Sequence, residues 1–158
     1  MERRELHFRS RSQTFVHLMN LPHPREQLAG CCWLPRLAAK TRVYLQGEMP
    51  LSYRAAFGSR IGMDGYFFRH FQLSRGEIIA AVRAAPSNEQ LAEWFLARPA
   101  VTPQSIAEWN EFAPRIGASG NPGYVTRNLV KWIFYPKSIA RPVRSLFEAI
   151  VQDEGLAP

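Results

Sequence analysis

The sequence has few cysteines, few histidines and no long apolar run, and each shortage excludes a class of protein. The two cysteines, Cys31 and Cys32, are adjacent. They form neither a disulfide framework nor a CxxC metal or redox motif, so we expect buried thiols. The four histidines lack metal-ligand spacing, so no metal or other cofactor is expected. No apolar run approaches the roughly 18 residues of a membrane span, and the N-terminus does not resemble a signal peptide, so we expect a cytoplasmic protein.

Acidic residues are also scarce, which leaves the chain strongly basic. Lysine and arginine number 20 against 13 acids, a formal net charge of +7. This balance favours an anionic partner: a small molecule, a nucleic acid or a lipid surface. The 158 residues, 46% of them hydrophobic, suit one globular domain. We divide them into an N-terminal arm, 1–26, and a single helical domain, 27–158.

The clearest helical pattern lies between Gly30 and Gly47. Pro35 is favoured at a helix start and Gly47 at a helix stop, which predicts a helix from Pro35 to about Gln46. One predicted face is apolar: Leu34, Leu37, Ala38, Thr41 and Leu45. Arg36, Lys40 and Tyr44 form a neighbouring stripe, which Trp33 extends. The two cations are either solvent-exposed or the binding site of an anionic ligand.

Further start signals predict a succession of helices. Ser74 and Ser87 begin capping boxes, and Thr102-Pro103 begins a third helix. Asp64 is expected to cap a short helix before them. Helices are also predicted over 124–135, stopped by Pro136, and from Arg141 to Gln152. No segment alternates like a strand, so we predict an all-α fold: a single-domain bundle of about six to seven helices with long irregular connections.

The sequence resembles a family of uncharacterised bacterial proteins, domain of unknown function family 5069. The resemblance rests on W-L-P-R-L-x-x-K-x-R from Trp33, G-M-D-G at 62–65, R-H-F at 69–71, I-x-x-W-N from Ile106 and a closing D-E-G. It extends over residues 25–155. The family often has an aspartate before the lysine, where this chain has Ala39, so this chain has no acid at that position. The family implies no activity.

Two sets of candidate site residues follow. The ligand-binding candidates are the cationic and aromatic residues Trp33, Arg36, Lys40, Arg42, Tyr44 and Arg127. The catalytic candidates are His70, Tyr53, Asp153 and Glu154. His70 is an imidazole within an aromatic cluster, where it is either structural or a general base. Arg127 follows the glycine-rich loop 117–123, whose amides are either those of an ordinary loop or a place for a phosphate or carboxylate.

The two ends of the chain are expected to meet. No acid lies between Glu26 and Glu48, so the cations of the first helix have no local partner. The last helix places Asp153 and Glu154 where its dipole disfavours them. We therefore predict an ion pair of one of these acids with Arg36, Lys40 or Arg42.

These observations leave three functional hypotheses. The first is a small helical protein that binds an anionic or polar small molecule in one pocket. As an enzyme it would use acid–base chemistry without a metal or redox cofactor, as a lyase, isomerase, cyclase or hydrolase. The second is a nucleic-acid or anionic-surface binder that uses the basic segment 115–144, where six cations and several aromatic residues alternate without an acid. The third is a protein-interaction module.

Overall fold

The computed structural model describes residues 20–134 and 142–158. Within them the regular secondary structure is helical apart from one very small hairpin, which confirms the all-α prediction. The hairpin strands are β1 (Gln27–Leu28) and β2 (Cys31–Cys32). The helices are α1 (Leu34–Leu45), α2 (Leu51–Ala56), α3 (Met63–His70), α4 (Arg75–Ala84), α5 (Asn88–Leu96), α6 (Pro103–Phe112), α7 (Tyr124–Phe134) and α8 (Leu146–Glu154). A 3-10 turn, Ala113–Arg115, follows α6.

The hairpin was not expected, because two-residue strands are too short to show alternation. Its turn residues, Ala29 and Gly30, have φ values of 53° and 73°, as a type I′ turn requires. Asn110 of α6 holds it by accepting from the Cys32 N–H at 2.9 Å and donating to the Gly30 carbonyl at 2.7 Å. The hairpin thereby fixes the direction in which the chain enters α1.

Helix α1 begins one residue earlier than predicted, and Pro35 occupies its second position. A proline is tolerated there because the first helical N–H groups have no partner within the helix. The C-terminal end is as predicted. Gly47 has φ 75°, its N–H donates to the Tyr44 carbonyl, and the Glu48 N–H donates to the Val43 carbonyl. This is the Schellman pattern of a glycine stop.

The three predicted helix starts after α3 are confirmed. Ser74, Ser87 and Thr102 each accept from a backbone N–H three residues later. In each case the third helical residue returns a side-chain contact to the cap, which completes the capping box. Local chemistry therefore sets the starts of α4, α5 and α6.

The last helix starts later than predicted. Helix α8 begins at Leu146, where Ser145 caps it by accepting from the Glu148 N–H. The expected start, Arg141, and the predicted stop of α7, Pro136, lie outside the described residues. The helix is shorter than predicted because the Ser145 side chain caps it four residues after the predicted start.

Aromatic side chains from α3, its C-terminal cap, α5 and α6 form the centre of the core. Phe67, Phe71, Phe95 and Trp109 are all nearly solvent-free. Phe67 contacts the other three, with ring centroids 4.9 to 5.9 Å apart. The Trp109 indole N–H donates to the Cys32 carbonyl at 3.0 Å, which links this aromatic core to the hairpin.

The beginning of the described chain packs on the helices. Leu21 and Pro24, which the sequence assigns to the arm, are buried. In the described ranges, no helix has both the length and the apolar character needed to cross a membrane.

Candidate functional site

A buried group of ionisable side chains, together with one tryptophan, joins α1 to α3 and α8. We call it the charged seam: Trp33, Arg36, Lys40, Asp64 and Glu154. Arg36 forms an ion pair with Glu154, and their side chains are 3% and 6% exposed. Lys40 Nζ lies 2.5 Å from Asp64 Oδ1, with side chains 11% and 3% exposed. The alternative of solvent-exposed cations is therefore wrong, and the predicted pairing of the chain ends is confirmed for Arg36 and Glu154.

The centre of the seam is Asp64, which sequence reasoning treated only as a helix cap. Gly62 instead precedes α3, and Asp64 lies in its first turn. Its carboxylate accepts from Trp33 Nε1 at 2.9 Å, Lys40 Nζ at 2.5 Å and the Gly58 N–H at 3.0 Å. These donors satisfy an otherwise costly buried charge.

The glycine after Asp64 explains the G-M-D-G motif. A Cβ on Gly65 would lie 2.4 Å from the Ser59 carbonyl oxygen and 2.6 Å from Arg60 backbone atoms. Only glycine lets the preceding loop pack this closely on α3, which brings the Gly58 N–H to Asp64. The motif, together with the lack of acids around α1, was the available signal for Asp64.

Trp33 is the aromatic surface of the seam. Its backbone is in the left-handed region, with φ 71°, which costs energy in a residue with a side chain. Its ring stacks on Phe147 of α8 at 5.7 Å. Lys40 Nζ lies 4.7 Å and Arg36 Cζ 5.6 Å from the indole centroid, within range of cation–π attraction. One tryptophan thus contacts two of the four predicted ligand-binding cations, Arg36 and Lys40.

Burial determines the ionisation of the nearby groups. Desolvation lowers the pKa of Lys40, although the Asp64 carboxylate opposes this effect. A lysine with a lowered pKa can exchange protons nearer to neutral pH. Desolvation raises the pKa of Cys32 to about 11, and burial raises the pKa of Cys31 as well. The cysteines, buried as expected, therefore remain thiols and are poor nucleophiles at neutral pH.

The remaining residues of the predicted stripe lie beyond Lys40 on α1. Tyr44 packs against Phe57 with ring centroids 5.3 Å apart, and the Arg75 guanidinium lies 5.1 Å from the Tyr44 ring. Arg42 is half-buried. Among the catalytic candidates, Tyr53 packs against the core and Asp153 is half-buried on α8.

His70 lies apart from the seam, at the other end of α3. It lies six positions after Asp64, about 9 Å along a helix axis. Its Nε2 is 2.7 Å from the Ser105 carbonyl, which can only accept, so Nε2 carries the proton and donates. The ring also contacts Phe71 and Trp109. These contacts favour the structural alternative for His70.

Arg127 is also separate from the seam. It is buried, and its Nη1 donates to the Val143 carbonyl at 2.6 Å, which ties α7 to the segment before α8. In the glycine-rich loop, the Gly117 N–H donates to the Pro122 carbonyl at 2.7 Å and the Asn121 N–H to the Ala118 carbonyl at 3.0 Å. These amides stabilise the loop, which favours the ordinary-loop alternative.

Two further observations limit where a ligand could lie. Within the described residues, no group of three or more His, Cys, Asp or Glu side chains could hold a metal ion. An open cleft of about 430 Å³ lies between α4 and α5, and its lining includes Glu77, Trp94 and Arg98. None of the predicted site residues lines that cleft.

Comparison with known proteins agrees with the motifs. The family model described as Domain of unknown function (DUF5069) matches residues 20–155, most of the chain. A search of curated proteins finds no match.

Proposed function

The chain belongs to the DUF5069 family, and we propose that it is a cytoplasmic protein that binds an anionic or polar small molecule at the charged seam. The family name carries no activity, so the proposal rests on the residues themselves. One observation carries it: the seam and its surroundings contain buried guanidinium donors that have no acceptor in the part of the chain that the structure describes.

Three arginines on α1 and α4 have such a donor. Arg36 Nε, Arg42 Nη2 and Arg75 Nε are buried and have no hydrogen-bond acceptor within the described residues. An unsatisfied buried donor costs roughly 1–3 kcal/mol, and more when the group is charged. A carboxylate or phosphate would satisfy such donors, and arginine recognises both in a bidentate manner.

The seam supports this use because its groups are preorganised. Asp64 and Glu154 orient Lys40 and Arg36, and the Trp33 ring lies beside both cations. A site whose side chains are already ordered loses less entropy when it binds a ligand.

Lys40 is the group that could add catalysis to binding. Its lowered pKa and its contact with Asp64 suit proton transfer to or from a bound anion. An enzyme built on this pair would be a lyase, isomerase, cyclase or hydrolase that works by acid–base chemistry. His70, held by Ser105, is not assigned a role in it.

The test is a thermal-shift screen of the full chain with phosphate, pyrophosphate, acetate, succinate and citrate. A binding anion raises the melting temperature progressively with its concentration, because it binds only the folded state. Titration calorimetry then measures the affinity. If none of these anions stabilises the protein beyond a chloride control of equal ionic strength, the proposal is wrong.

Variants then locate the site. Arg36→Ala should weaken binding by roughly 1.5–3 kcal/mol, the range for hydrogen bonds to charged groups. Arg36→Lys should recover part of this, since it retains the charge for Glu154 but not the planar fork. Arg115→Lys is the matched control, because Arg115 is exposed and pairs with the exposed Glu111. Equal affinity in all three variants would place the ligand elsewhere.

The nucleic-acid alternative receives less support. Of the six cations in 115–144, Arg127 is buried against Val143 and Arg115 pairs with Glu111. Phosphate-backbone binding weakens steeply with salt, whereas binding in an enclosed site changes less. A salt series with a labelled oligonucleotide therefore separates the two hypotheses.

A further inference from the structure

The start of α7 buries a charged side chain and exposes apolar ones, the opposite of an ordinary surface helix. Arg127 is 7% exposed and donates to the Val143 carbonyl, so the charged residue faces the protein. Val125 and Leu129 are 68% and 72% exposed. At four residues' separation they share one helix face, opposite Arg127. A surface helix normally turns its apolar face to the core, so this arrangement needs an explanation.

The exposed side chains are concentrated on this helix. Among the described residues, the large exposed hydrophobic side chains are Leu51, Ile61, Leu96, Tyr124, Val125 and Leu129. Half of them lie within the first six residues of α7. Isolated exposed apolar side chains are normal, whereas adjacent ones on a helix face indicate an interaction surface.

The sequence around α7 indicates the charge of the partner. No aspartate or glutamate occurs between Glu111 and Glu148, whereas six lysines and arginines do. Arg144 is exposed, and it follows Val143, the residue that Arg127 holds against α7. The described part of this surface therefore has an apolar helix face and the exposed Arg144, in a segment without an acid, and it complements an apolar partner that carries negative charge.

We propose that α7 docks on an anionic lipid surface, with Val125 and Leu129 entering the headgroup boundary and Arg144 facing the lipid phosphates. The helix lies on the bilayer and does not cross it. Lipid is favoured over nucleic acid because acyl chains bury aliphatic side chains, whereas a phosphate backbone does not. The proposal is independent of ligand binding at the charged seam.

Vesicle co-sedimentation of the full chain tests the proposal. The vesicles are phosphatidylcholine alone and phosphatidylcholine mixed with phosphatidylserine. The wild-type protein should bind the mixed vesicles and not the neutral ones. Val125→Gln with Leu129→Gln should weaken this binding roughly tenfold or more, because two buried aliphatic side chains are lost.

The matched control is Leu51→Gln with Leu96→Gln, which removes two exposed leucines from α2 and α5 without changing charge. It should bind as the wild type does. Circular dichroism and the melting temperature establish that both double variants are folded. If the α7 double variant is unfolded, the single variant Leu129→Gln replaces it.

A charge variant tests the second half of the proposal. Arg144→Gln should weaken binding to the mixed vesicles about fivefold, the effect of one basic residue near an anionic surface. Two further measurements test the competing partners. Binding of a labelled oligonucleotide tests nucleic acid, and the mass from light scattering tests a second copy of the chain.

Four outcomes would overturn the proposal. They are no binding to mixed vesicles, equal loss in the α7 and control variants, binding to the oligonucleotide but not to vesicles, and a dimer that the α7 variant dissociates. A loss of vesicle binding confined to the α7 and Arg144 variants would support it.

Discussion

Helix α3 connects two buried regions of different chemistry, the charged seam and the aromatic core. Its first turn places Asp64 in the charged seam, among donors from α1 and the preceding loop. Its last turn places His70 beside the aromatic core, where the imidazole has one carbonyl partner. In the seam each buried charge needs an opposite charge. In the aromatic core apolar burial stabilises the fold, and one hydrogen bond satisfies the polar group.

Substitutions in the charged seam and in the aromatic core should therefore change the free energy of unfolding by different amounts. Loss of one charge in the seam leaves its partner buried and unpaired, which is more costly than loss of a neutral hydrogen bond. The expected effects on the free energy of unfolding decrease in the following order.

The largest effect is expected for the ion pair between the chain ends. Glu154→Leu should destabilise the protein by about 3–5 kcal/mol, because Arg36 would remain as an uncompensated buried cation. Arg36→Met with Glu154→Leu should recover much of this loss. Urea unfolding of the single and double variants gives the coupling energy. Truncation after Gln152 is a simpler first measurement.

The control for this cycle is the exposed pair of Arg115 and Glu111, whose side chains are 56% and 77% exposed. Its coupling energy should be at most about 1 kcal/mol. Equal coupling in the two pairs would mean that Glu154 is solvated in solution, and the C-terminal end would then be frayed.

The next effect is expected at the centre of the seam. Asp64→Asn should cost about 1.5–3 kcal/mol, since Lys40 loses its counter-charge while the side chain keeps its shape. Chemical denaturation measures it. Stability equal to that of the wild type would show that Lys40 is already neutral, and the seam would then contain one ion pair instead of two.

A smaller effect is expected at the other end of the same helix. His70→Phe should cost about 0.5–1.5 kcal/mol, because it removes one hydrogen bond and leaves the aromatic contacts. The same denaturation experiment checks it. Loss of an identified activity with the stability unchanged would instead assign His70 a catalytic role.

Ionisation of the buried thiols should change the free energy of unfolding only in alkaline solution. Because burial raises the pKa of Cys32 from 9.0 to about 11, the folded state holds this proton more tightly than the unfolded state does. Stability should therefore be fully present below pH 9.0 and fall as the pH rises through about 11. The Cys32→Ala variant should lack this fall.

Lys40 also makes the stability depend on pH in the alkaline range, but its contribution rises with pH where that of Cys32 falls. Its pKa is lowered from 10.5, so the unfolded state binds the proton more tightly, and stability rises with pH up to that value. Lys40 is present in both the wild type and Cys32→Ala, so the difference between their curves of stability against pH reports the thiol alone. If the two curves run parallel above pH 9.0, the thiol is solvated and the burial argument fails.

Local chemistry made much of the helical framework predictable from the sequence. The side chains of Ser74, Ser87 and Thr102 satisfy the first N–H groups of their own helices, and Gly47 adopts the left-handed turn that ends α1. The sequence also predicted that an acid of the last helix pairs with a cation of α1. An acid at a helix C-terminus is disfavoured by the helix dipole, and a cation without an acid nearby in the sequence needs a distant partner.

Only the tertiary structure determined the roles of Asp64, Arg127 and Trp33. Asp64 reaches Lys40 because Gly65 lets a loop approach α3 closely, and no periodicity in the sequence encodes that approach. Arg127 faces inward because a carbonyl of a later segment accepts from it. Trp33 takes a left-handed backbone because the hairpin before it and Phe147 behind it hold it in place. The sequence determines interactions within a helix or turn, whereas packing between distant segments determines which polar side chains are buried and what they bind.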